Sequence, residues 1–333
     1  MIILVDTKTF KCCMQGRWQD VAAVAKKLMD TASAYEESDL NQEGDKVEKL
    51  GLHAFHILAL FKLRVIQEAE IQLSNIENER ASWPFMLRFL ETQILFEKVS
   101  PDTDSLKAYM LLEQMLSESI EKSTLHGHEG EMWKNRAIHC GMSMVGHYIC
   151  RSQIKAALGL LDRLLKEMAE YEVLWLSQAS RIFAICGDLE KAEELLERSL
   201  ALGQEKQDVF VFGQSLSVLS QLDQANVLSM RGKLDQAEAL YQSISDQYTG
   251  SVMISSNLAV LNVLKGDPLR ARMILEDEFK QRFSSAISEP VVTNLLNAMT
   301  LAPPASENID MGFPAAQKVG AWVATAAPDD YMI

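Results

Sequence analysis

The hexapeptide Gly187-Asp-Leu-Glu-Lys-Ala192 begins with a small residue and ends with an alanine five positions later. Three other segments of the 333-residue chain share this pattern. They read Ser152-Gln-Ile-Lys-Ala-Ala157, Gly232-Lys-Leu-Asp-Gln-Ala237 and Gly266-Asp-Pro-Leu-Arg-Ala271. In chain order, the first residues of the four segments are 35, 45 and 34 residues apart. Two steps match a helix-pair repeat of about 34 residues, and the longer step predicts an insertion of about 11 residues.

Each position of the pattern has a role in a pair of helices. A glycine or another small residue permits a tight reversal between a first helix, A, and a second helix, B. The alanine lets helix B cross helix A at close range, where a larger side chain would push the two apart. A bulky residue follows each alanine by four positions, and a small residue precedes each turn by seven. The bulky residues are Leu161, Leu196, Tyr241 and Leu275, and the small residues are Val145, Ser180, Ala225 and Ala259.

Weaker copies extend the array toward the amino terminus. Gly16-Arg17-Trp18 resembles the same turn, and segments 52–61 and 67–70 form a pair whose turn glycine has been replaced. Segments 84–96 and 106–120 form another pair around the helix break at Ser100-Pro101-Asp102. We therefore expect seven antiparallel pairs, closed by a capping helix over 289–301.

The pattern resembles the tetratricopeptide repeat (TPR), so the predicted fold class is an all-α, TPR-like solenoid. Its domain is expected to span 1–301, with degenerate repeats over 1–122 and clearer repeats over 132–301. The polar stretches 36–46 and 123–131 are predicted loops. Residues 302–333 are predicted to form an irregular or disordered tail, because they hold four of the eight prolines and lack helical periodicity.

Composition narrows the possible partners and the compartment. The chain carries 46 acidic and 32 basic residues, a formal net charge of -14 that repels nucleic acid and anionic lipid. Its five cysteines form no disulfide or zinc-knuckle pattern, which favours a reducing compartment. The apolar start of the chain is too short for a signal peptide, and no segment is long enough to span a bilayer. We expect a cytoplasmic protein with protein partners.

Candidate metal ligands are few. His139, His147 and Cys150, with Cys140 nearby, lie close to one face of a predicted helix and could form a zinc or redox site. They equally fit an ordinary helix A in which cysteine fills a small apolar space, and this second interpretation is the one we expect. The same holds for His53 with His56, while His126, His128 and Glu129 fit a solvated loop.

Catalytic motifs are missing from the sequence. There is no phosphate-binding glycine loop, no Gly-x-Ser-x-Gly elbow and no His-Glu-x-x-His motif. The expectation is therefore no enzyme activity, with no catalytic, cofactor-binding or metal-binding residue and no cofactor.

Methionine and tryptophan leave two interpretations. The sixteen methionines could form an adaptable binding surface, but we expect them to fill seams between imperfect repeats. Trp18, Trp83, Trp133 and Trp175 could anchor an interface, but we expect core positions.

A TPR clamp for the carboxylate of chaperone tails would need a basic cluster on the A helices. The corresponding positions hold Ser177, Arg181, Leu222, Asn226, Ser256 and Val260. Because one cation does not make such a cluster, this kind of clamp is not expected.

Several segments resemble the subunit 12 family of the TRAPP trafficking complex, which consists of TPR proteins. The segment 83–90, Trp-Pro-Phe-Met-Leu-Arg-Phe-Leu, is similar to that family's Pro-Phe-x-x-Arg-x-Leu helix. Gly187-Asp188 with Ala192-Glu193, the segment 257–260 followed by Lys265-Gly266, and Asn294-Leu295 resemble further family motifs. The resemblance covers about 83–301, and the tail after Ala302 has no counterpart in it.

The resemblance implies a non-catalytic scaffold subunit of a TRAPP-type vesicle-tethering complex. Such a complex acts as a nucleotide exchange factor for Rab GTPases in ER–Golgi and autophagic transport, and exchange belongs to its core subunits. The expected partners are the other subunits, and membrane contact would be indirect, at the periphery of ER–Golgi membranes. The alternatives are a free cytosolic TPR adaptor that binds short peptides, or a scaffold of another coat or tether.

Overall fold

The computed structural model describes residues 18–35, 43–76, 83–98, 103–205, 210–211, 214–247, 251–281 and 289–302. Over these residues the chain forms fourteen α-helices, one turn of 3-10 helix and two strands of two residues each. The fold is all-α, as the sequence predicts.

The chain divides into two compact units, Met1–Glu167 and Met168–Ile333. The helices of unit 1 are α1 (Trp18–Tyr35), α2 (Glu43–Lys62), α3 (Ile66–Ser74), α4 (Phe85–Glu97), α5 (Thr103–Lys122), α6 (His128–Cys150) and α7 (Ile154–Glu167). Unit 2 begins with the 3-10 turn (Ala169–Tyr171), α8 (Glu172–Ile185), α9 (Leu189–Glu205), β1 (Phe210–Val211) and β2 (Gln214–Ser215). It continues with α10 (Leu216–Met230), α11 (Leu234–Gln247), α12 (Val252–Leu264), α13 (Pro268–Gln281) and α14 (Glu289–Leu301).

Five turns between a helix A and its helix B share one backbone geometry. The turn residue has a positive φ, which is 62° at Arg64, 58° at Ser152, 84° at Gly187, 75° at Gly232 and 83° at Gly266. At every one of these turns, its N–H donates to the carbonyl three residues earlier, and the next N–H donates to the carbonyl five residues earlier. This is the Schellman arrangement, which satisfies the last carbonyls of helix A. In the second predicted pair, Arg64 therefore occupies the turn position that glycine holds in the clearer repeats.

The alanine five residues after each turn packs where the two helices cross. All five alanines are 0 % exposed, namely Ala69, Ala157, Ala192, Ala237 and Ala271. The Ser180 Oγ, seven residues before Gly187, donates a hydrogen bond of 2.7 Å to the Ala192 carbonyl. This contact joins the two small-residue positions of one pair, which confirms the predicted phase of the repeat.

Each unit has its own apolar core. In unit 1, Ile57 of α2, Ala69 of α3 and Leu87 of α4 belong to one cluster, and Val21 of α1 packs with Ala59 of α2. In unit 2, one cluster joins α10, α11 and α12, and a second joins α12, α13 and α14. The predicted capping helix thus exists as α14, and its Leu295 and Ala298 cover the last pair.

Ion pairs at equivalent positions connect consecutive helix pairs of unit 2. Arg231 precedes its turn glycine by one residue and pairs at 2.9 Å with Glu193, which follows the previous turn glycine by six. Lys265 pairs at 2.6 Å with Glu238 in the same relation. Exposed pairs of this kind contribute little to stability, about 0–1 kcal/mol each, so they mainly fix the register between pairs.

The structure differs from the sequence prediction at two loops. Helix α2 begins at Glu43 and α6 at His128, so both predicted loops are shorter than 36–46 and 123–131. At the second, Gly127 with φ 74° ends the loop. Glu129 and Glu131 then lie in the first turn of α6, where the positive end of the helix dipole favours carboxylates.

The predicted insertion lies in the second half of the α8–α9 repeat. Helix α9 has 17 residues, against 14 in α7 and 14 in α11. After it, β1 and β2 pair in an antiparallel hairpin with Phe210 opposite Ser215.

Three predictions lie outside the described residues and stay predictions. They are the turn at Gly16-Arg17, the helix break at Ser100-Pro101-Asp102 and the tail over 303–333. The proposed domain limits of 1–301 also remain a proposal.

Candidate functional site

The three A helices of unit 2 place equivalent residues on one common face. Residues two, six and nine positions before a turn glycine lie on the same side of a helix with 3.6 residues per turn. We call these nine residues the A-helix face. They are Gln178, Arg181 and Ile185 of α8, Asp223, Asn226 and Met230 of α10, and Asn257, Val260 and Leu264 of α12.

A buried polar network forms the centre of the A-helix face. The Asp223 side chain is only 1 % exposed. Its two carboxylate oxygens accept hydrogen bonds from the Ser177 Oγ and the Arg181 Nε, both on α8. The Tyr241 hydroxyl of α11 donates to the Asn226 Oδ1. The network thus fixes α8 against α10, and α10 against its own helix B.

Burial controls the protonation of this network. It raises the pKa of Asp223, while the positive charge of Arg181 acts in the opposite direction. Burial also raises the pKa of Tyr241 to about 12, so the tyrosine is a neutral donor under physiological conditions. With its Nε bound to Asp223, the Arg181 side chain is held in place while 37 % of it remains exposed. The A-helix face therefore presents one oriented cation.

Exposed apolar side chains surround this polar centre. Ile185, Met230 and Leu264 stand two residues before their glycines and are 60 %, 51 % and 58 % exposed. On α12, Met253 and Val260 extend the apolar surface along the same side of the helix as Leu264. Exposed apolar side chains that recur at one position of successive repeats make this face a candidate for protein interaction.

The sequence analysis did not identify the exposed row formed by Ile185, Met230 and Leu264. The repeat pattern identifies residues that pack between the two helices of a pair, and these three residues do not. The available signal was an apolar residue two positions before each turn glycine of unit 2. At the equivalent positions of unit 1, Lys62 and Cys150 stand instead.

The four candidate metal ligands of α6 point to different surroundings. Cys140 is buried, and burial raises its pKa to about 12, so it remains a neutral thiol. His147 stacks on Phe96 with ring centroids 3.6 Å apart, and Cys150 is exposed. The His139 Nδ1–H donates a hydrogen bond of 2.9 Å to the Asn135 carbonyl. Across the described part of the chain, no group of three or more His, Cys, Asp or Glu side chains is placed to hold a metal ion.

The structure divides the methionines between core and surface. Met115, Met144, Met168 and Met299 are buried, as expected for seam positions. The same expectation is wrong for five others, which are exposed: Met86, Met110, Met230, Met253 and Met273. Their places on helix faces away from the pair contact explain the difference.

The tryptophans follow their expected places more closely. Trp83 and Trp175 are buried in the cores of units 1 and 2. Trp133 is only partly buried and lies between two cationic side chains of unit 1. The side chain of Trp18 lies outside the described residues.

An open groove of about 480 Å³ lies between α5 and α6 of unit 1. Tyr109, Met110 and Tyr148 line it, and the two tyrosine rings stack with centroids 4.6 Å apart. Because Leu106 and Met110 of α5 are also exposed, this face of unit 1 is a second place where an apolar partner could bind.

None of the helices that the structure describes is long and apolar enough to cross a membrane. Comparison with protein-family models and with curated proteins found no match. Among solved structures, the chain is similar to a tetratricopeptide repeat protein from Parabacteroides merdae ATCC 43184. That similarity has 14% identity and a TM-score of 0.42, and covers 80% of this chain and 97% of the other. The P58(IPK) TPR domain is similar at 11% identity and a TM-score of 0.22, over 91% of this chain and 99% of the other. Similarity at these levels assigns no function.

Proposed function

We propose that this protein is a non-catalytic scaffold that binds other proteins, with the A-helix face of unit 2 as a principal binding surface. The observation that carries this proposal is the exposure of Ile185, Met230 and Leu264 at the same position of three successive helix pairs. Burying three such side chains against a partner would contribute several kcal/mol, at about 1.5–3 kcal/mol for each full burial.

The rigidity of the surface supports the proposal. The hydrogen bonds among Ser177, Arg181 and Asp223 order α8 and α10 before a partner arrives. A surface that is already ordered loses little conformational entropy on association, so more of the burial energy appears as affinity. The exposed guanidinium of Arg181 adds orientation, because a partner must place an acceptor beside it.

We propose further that the assembly is a TRAPP-type tether in ER–Golgi and autophagic transport. The support for this is the resemblance of the segments over 83–301 to the subunit 12 family. Several of those residues have structural roles. The Asn294 Nδ2 donates to the Ser256 Oγ at 3.0 Å, and Arg88 pairs with Glu118 at 2.8 Å. In this proposal the core subunits perform nucleotide exchange, and this chain supplies protein contacts.

The test is affinity purification of the tagged full chain from native lysate, with quantification of every recovered protein. A tether subunit recovers the other tether subunits in near-stoichiometric amounts, and the association survives moderate salt because apolar burial is not screened. Recovery of chaperones or short-peptide ligands alone would favour a free TPR adaptor. In a parallel assay, the purified chain should produce no nucleotide exchange on a Rab GTPase, and exchange by the chain alone would contradict both readings.

A further inference from the structure

A cluster of cations and aromatic rings lies in unit 1. It is formed by the start of α4, the end of α5 and the start of α6. The Arg136 Cζ lies 4.3 Å from the centroid of the Trp133 ring and 5.1 Å from that of Phe85. The Lys122 Nζ lies 4.5 Å from the same Trp133 ring. Two cations and two aromatic rings are thus in direct contact.

The charges of this cluster do not balance. Glu118 uses one carboxylate oxygen for Arg88 and the other for Lys122, each at 2.8 Å. It is also the carboxylate whose charge acts most strongly on Arg136. Three cations, Arg88, Lys122 and Arg136, therefore share one carboxylate that already has two partners. The excess is positive, in a chain whose formal net charge is -14.

Arg136 has unused hydrogen-bond donors. Its guanidinium makes cation–π contacts, but no hydrogen bond or ion pair joins it to a described residue. It is partly buried, and this burial, together with the charge of Arg88, lowers its pKa without removing its charge. Next to it, the Trp133 Nε1 is buried and donates to no acceptor among the described residues. A partly desolvated cation and a buried donor without acceptors both cost free energy, which an anionic ligand at Arg136 would reduce.

We infer that Arg136, with Lys122 and Trp133, forms a binding site for an oxyanion carried by a peptide segment of a partner protein. The oxyanion is a carboxylate or a phosphoryl group, since both accept two parallel hydrogen bonds from one guanidinium. Phe85 and Trp133 contact the Arg136 guanidinium through their rings, while its N–H groups, which bond no described residue, supply the donors for the ligand. The choice of a peptide as carrier rests on the proposed function as a protein-binding scaffold.

The test is fluorescence titration of the full chain with three probes: a glutamate-rich peptide, a phosphoserine peptide of matched sequence, and inorganic phosphate. We expect at least one peptide to bind, and Arg136→Gln to weaken that binding about ten- to a hundred-fold, the usual effect of a lost charge-assisted pair. The matched control is Arg151→Gln, which removes the same charge from a guanidinium 5.7 Å from the Phe96 ring centroid. In a parallel NMR titration, a change in the chemical shift of the Trp133 indole N–H would show that the peptide binds at this cluster.

The relative strength of the two peptides identifies the natural oxyanion. An equal loss in both arginine variants would mean that net charge alone attracts the peptide, and the proposal would fail. It would also fail if only inorganic phosphate bound, or if neither peptide bound. The Arg136→Gln comparison probes residues of unit 1 only. Its outcome can therefore be interpreted even if the A-helix face of unit 2 proves not to bind a partner.

Discussion

At Ala192 and Ala237 the methyl group is fully buried between helix A and helix B of the same pair. The neighbouring position on α8 is Ser180, whose hydroxyl already bonds the Ala192 carbonyl. Because both methyl groups are 0 % exposed, a longer side chain at either position must displace a neighbouring helix. The size of one residue thus sets the distance between two helices.

Replacing either alanine with leucine should lower the free energy of unfolding by about 1–3 kcal/mol through overpacking. Urea denaturation of Ala192→Leu and Ala237→Leu measures the loss. The control is Ala239→Leu, which lies on the same helix as Ala237 but is exposed. Equal stability of the two buried variants and the wild type would contradict the assigned phase of the repeat.

His147 gives stability a dependence on pH. Burial, with a smaller effect of Arg151, lowers its pKa from the ordinary 6.5 to about 4. Between these values the unfolded chain binds a proton that the folded chain does not, so stability falls as the pH is lowered from about 6.5 to about 4. Partial exposure of the ring limits the loss to about 1 kcal/mol.

The measurement is the free energy of unfolding of wild type minus that of His147→Gln, followed across this pH range. Carboxylates that titrate in the same pH interval contribute equally to the free energy of unfolding of both proteins, so their contribution cancels in the difference. We expect the difference to shrink toward low pH, because only the unfolded chain takes up the proton of His147 in this range. A flat curve for His147→Gln would show that the ring is not desolvated as its contact with Phe96 implies.

At the scale of the elements, the left-handed turn is the unit that the chain repeats. Gly187, Gly232 and Gly266 adopt it without strain, whereas Arg64 and Ser152 adopt it with a side chain. A non-glycine residue pays about 1–2 kcal/mol for this backbone conformation. The conformational free energy of the same turn is therefore higher at Arg64 and Ser152 than at the three glycines.

Substitutions at a glycine turn and at a non-glycine turn should change the free energy of unfolding in opposite directions. Gly187→Ala should destabilise by about 1 kcal/mol, while Ser152→Gly should stabilise by about 0.5–1 kcal/mol. Space is not the cause at Gly187, since a Cβ there would meet nothing within 4 Å. Thermal unfolding of both variants measures the difference. Destabilisation by Ser152→Gly would mean that its side chain outweighs the backbone strain.

The turns and the buried alanines were accessible from sequence because packing restricts them to a few residue types. The turn at Arg64 was harder to recognise, because arginine does not favour a positive φ. The alanine of the repeat pattern, Ala69, was the signal that indicated this turn. The place of the long repeat's insertion was not predictable, because the β1–β2 hairpin contributes nothing to the repeat pattern. The candidate surface was also missed: Ile185, Met230 and Leu264 face solvent, so no packing rule constrains them.

At the scale of the whole molecule, the two units carry different candidate surfaces. Unit 2 combines an ordered polar centre with exposed apolar side chains, and unit 1 holds the positively charged cluster around Arg136. An acidic chain with a local basic site can attract an acidic partner segment to that site and repel it from acidic surface. The two surfaces would then bind different chemical features, whether of one partner or of two.

The most direct test of the binding surface compares two triple variants of the tagged full chain. Ile185→Ser, Met230→Ser and Leu264→Ser together remove the exposed row of unit 2. Val65→Ser, Ile71→Ser and Leu125→Ser form the control in unit 1, where the three side chains are 45 %, 50 % and 45 % exposed and lie outside the groove between α5 and α6. Neither set touches a buried residue, and circular dichroism verifies that both variants keep their helices. The account predicts that the unit 2 variant loses the stoichiometric partners recovered by the wild type, while the unit 1 variant keeps them. Full recovery by the unit 2 variant, or loss only in the unit 1 variant, would contradict it.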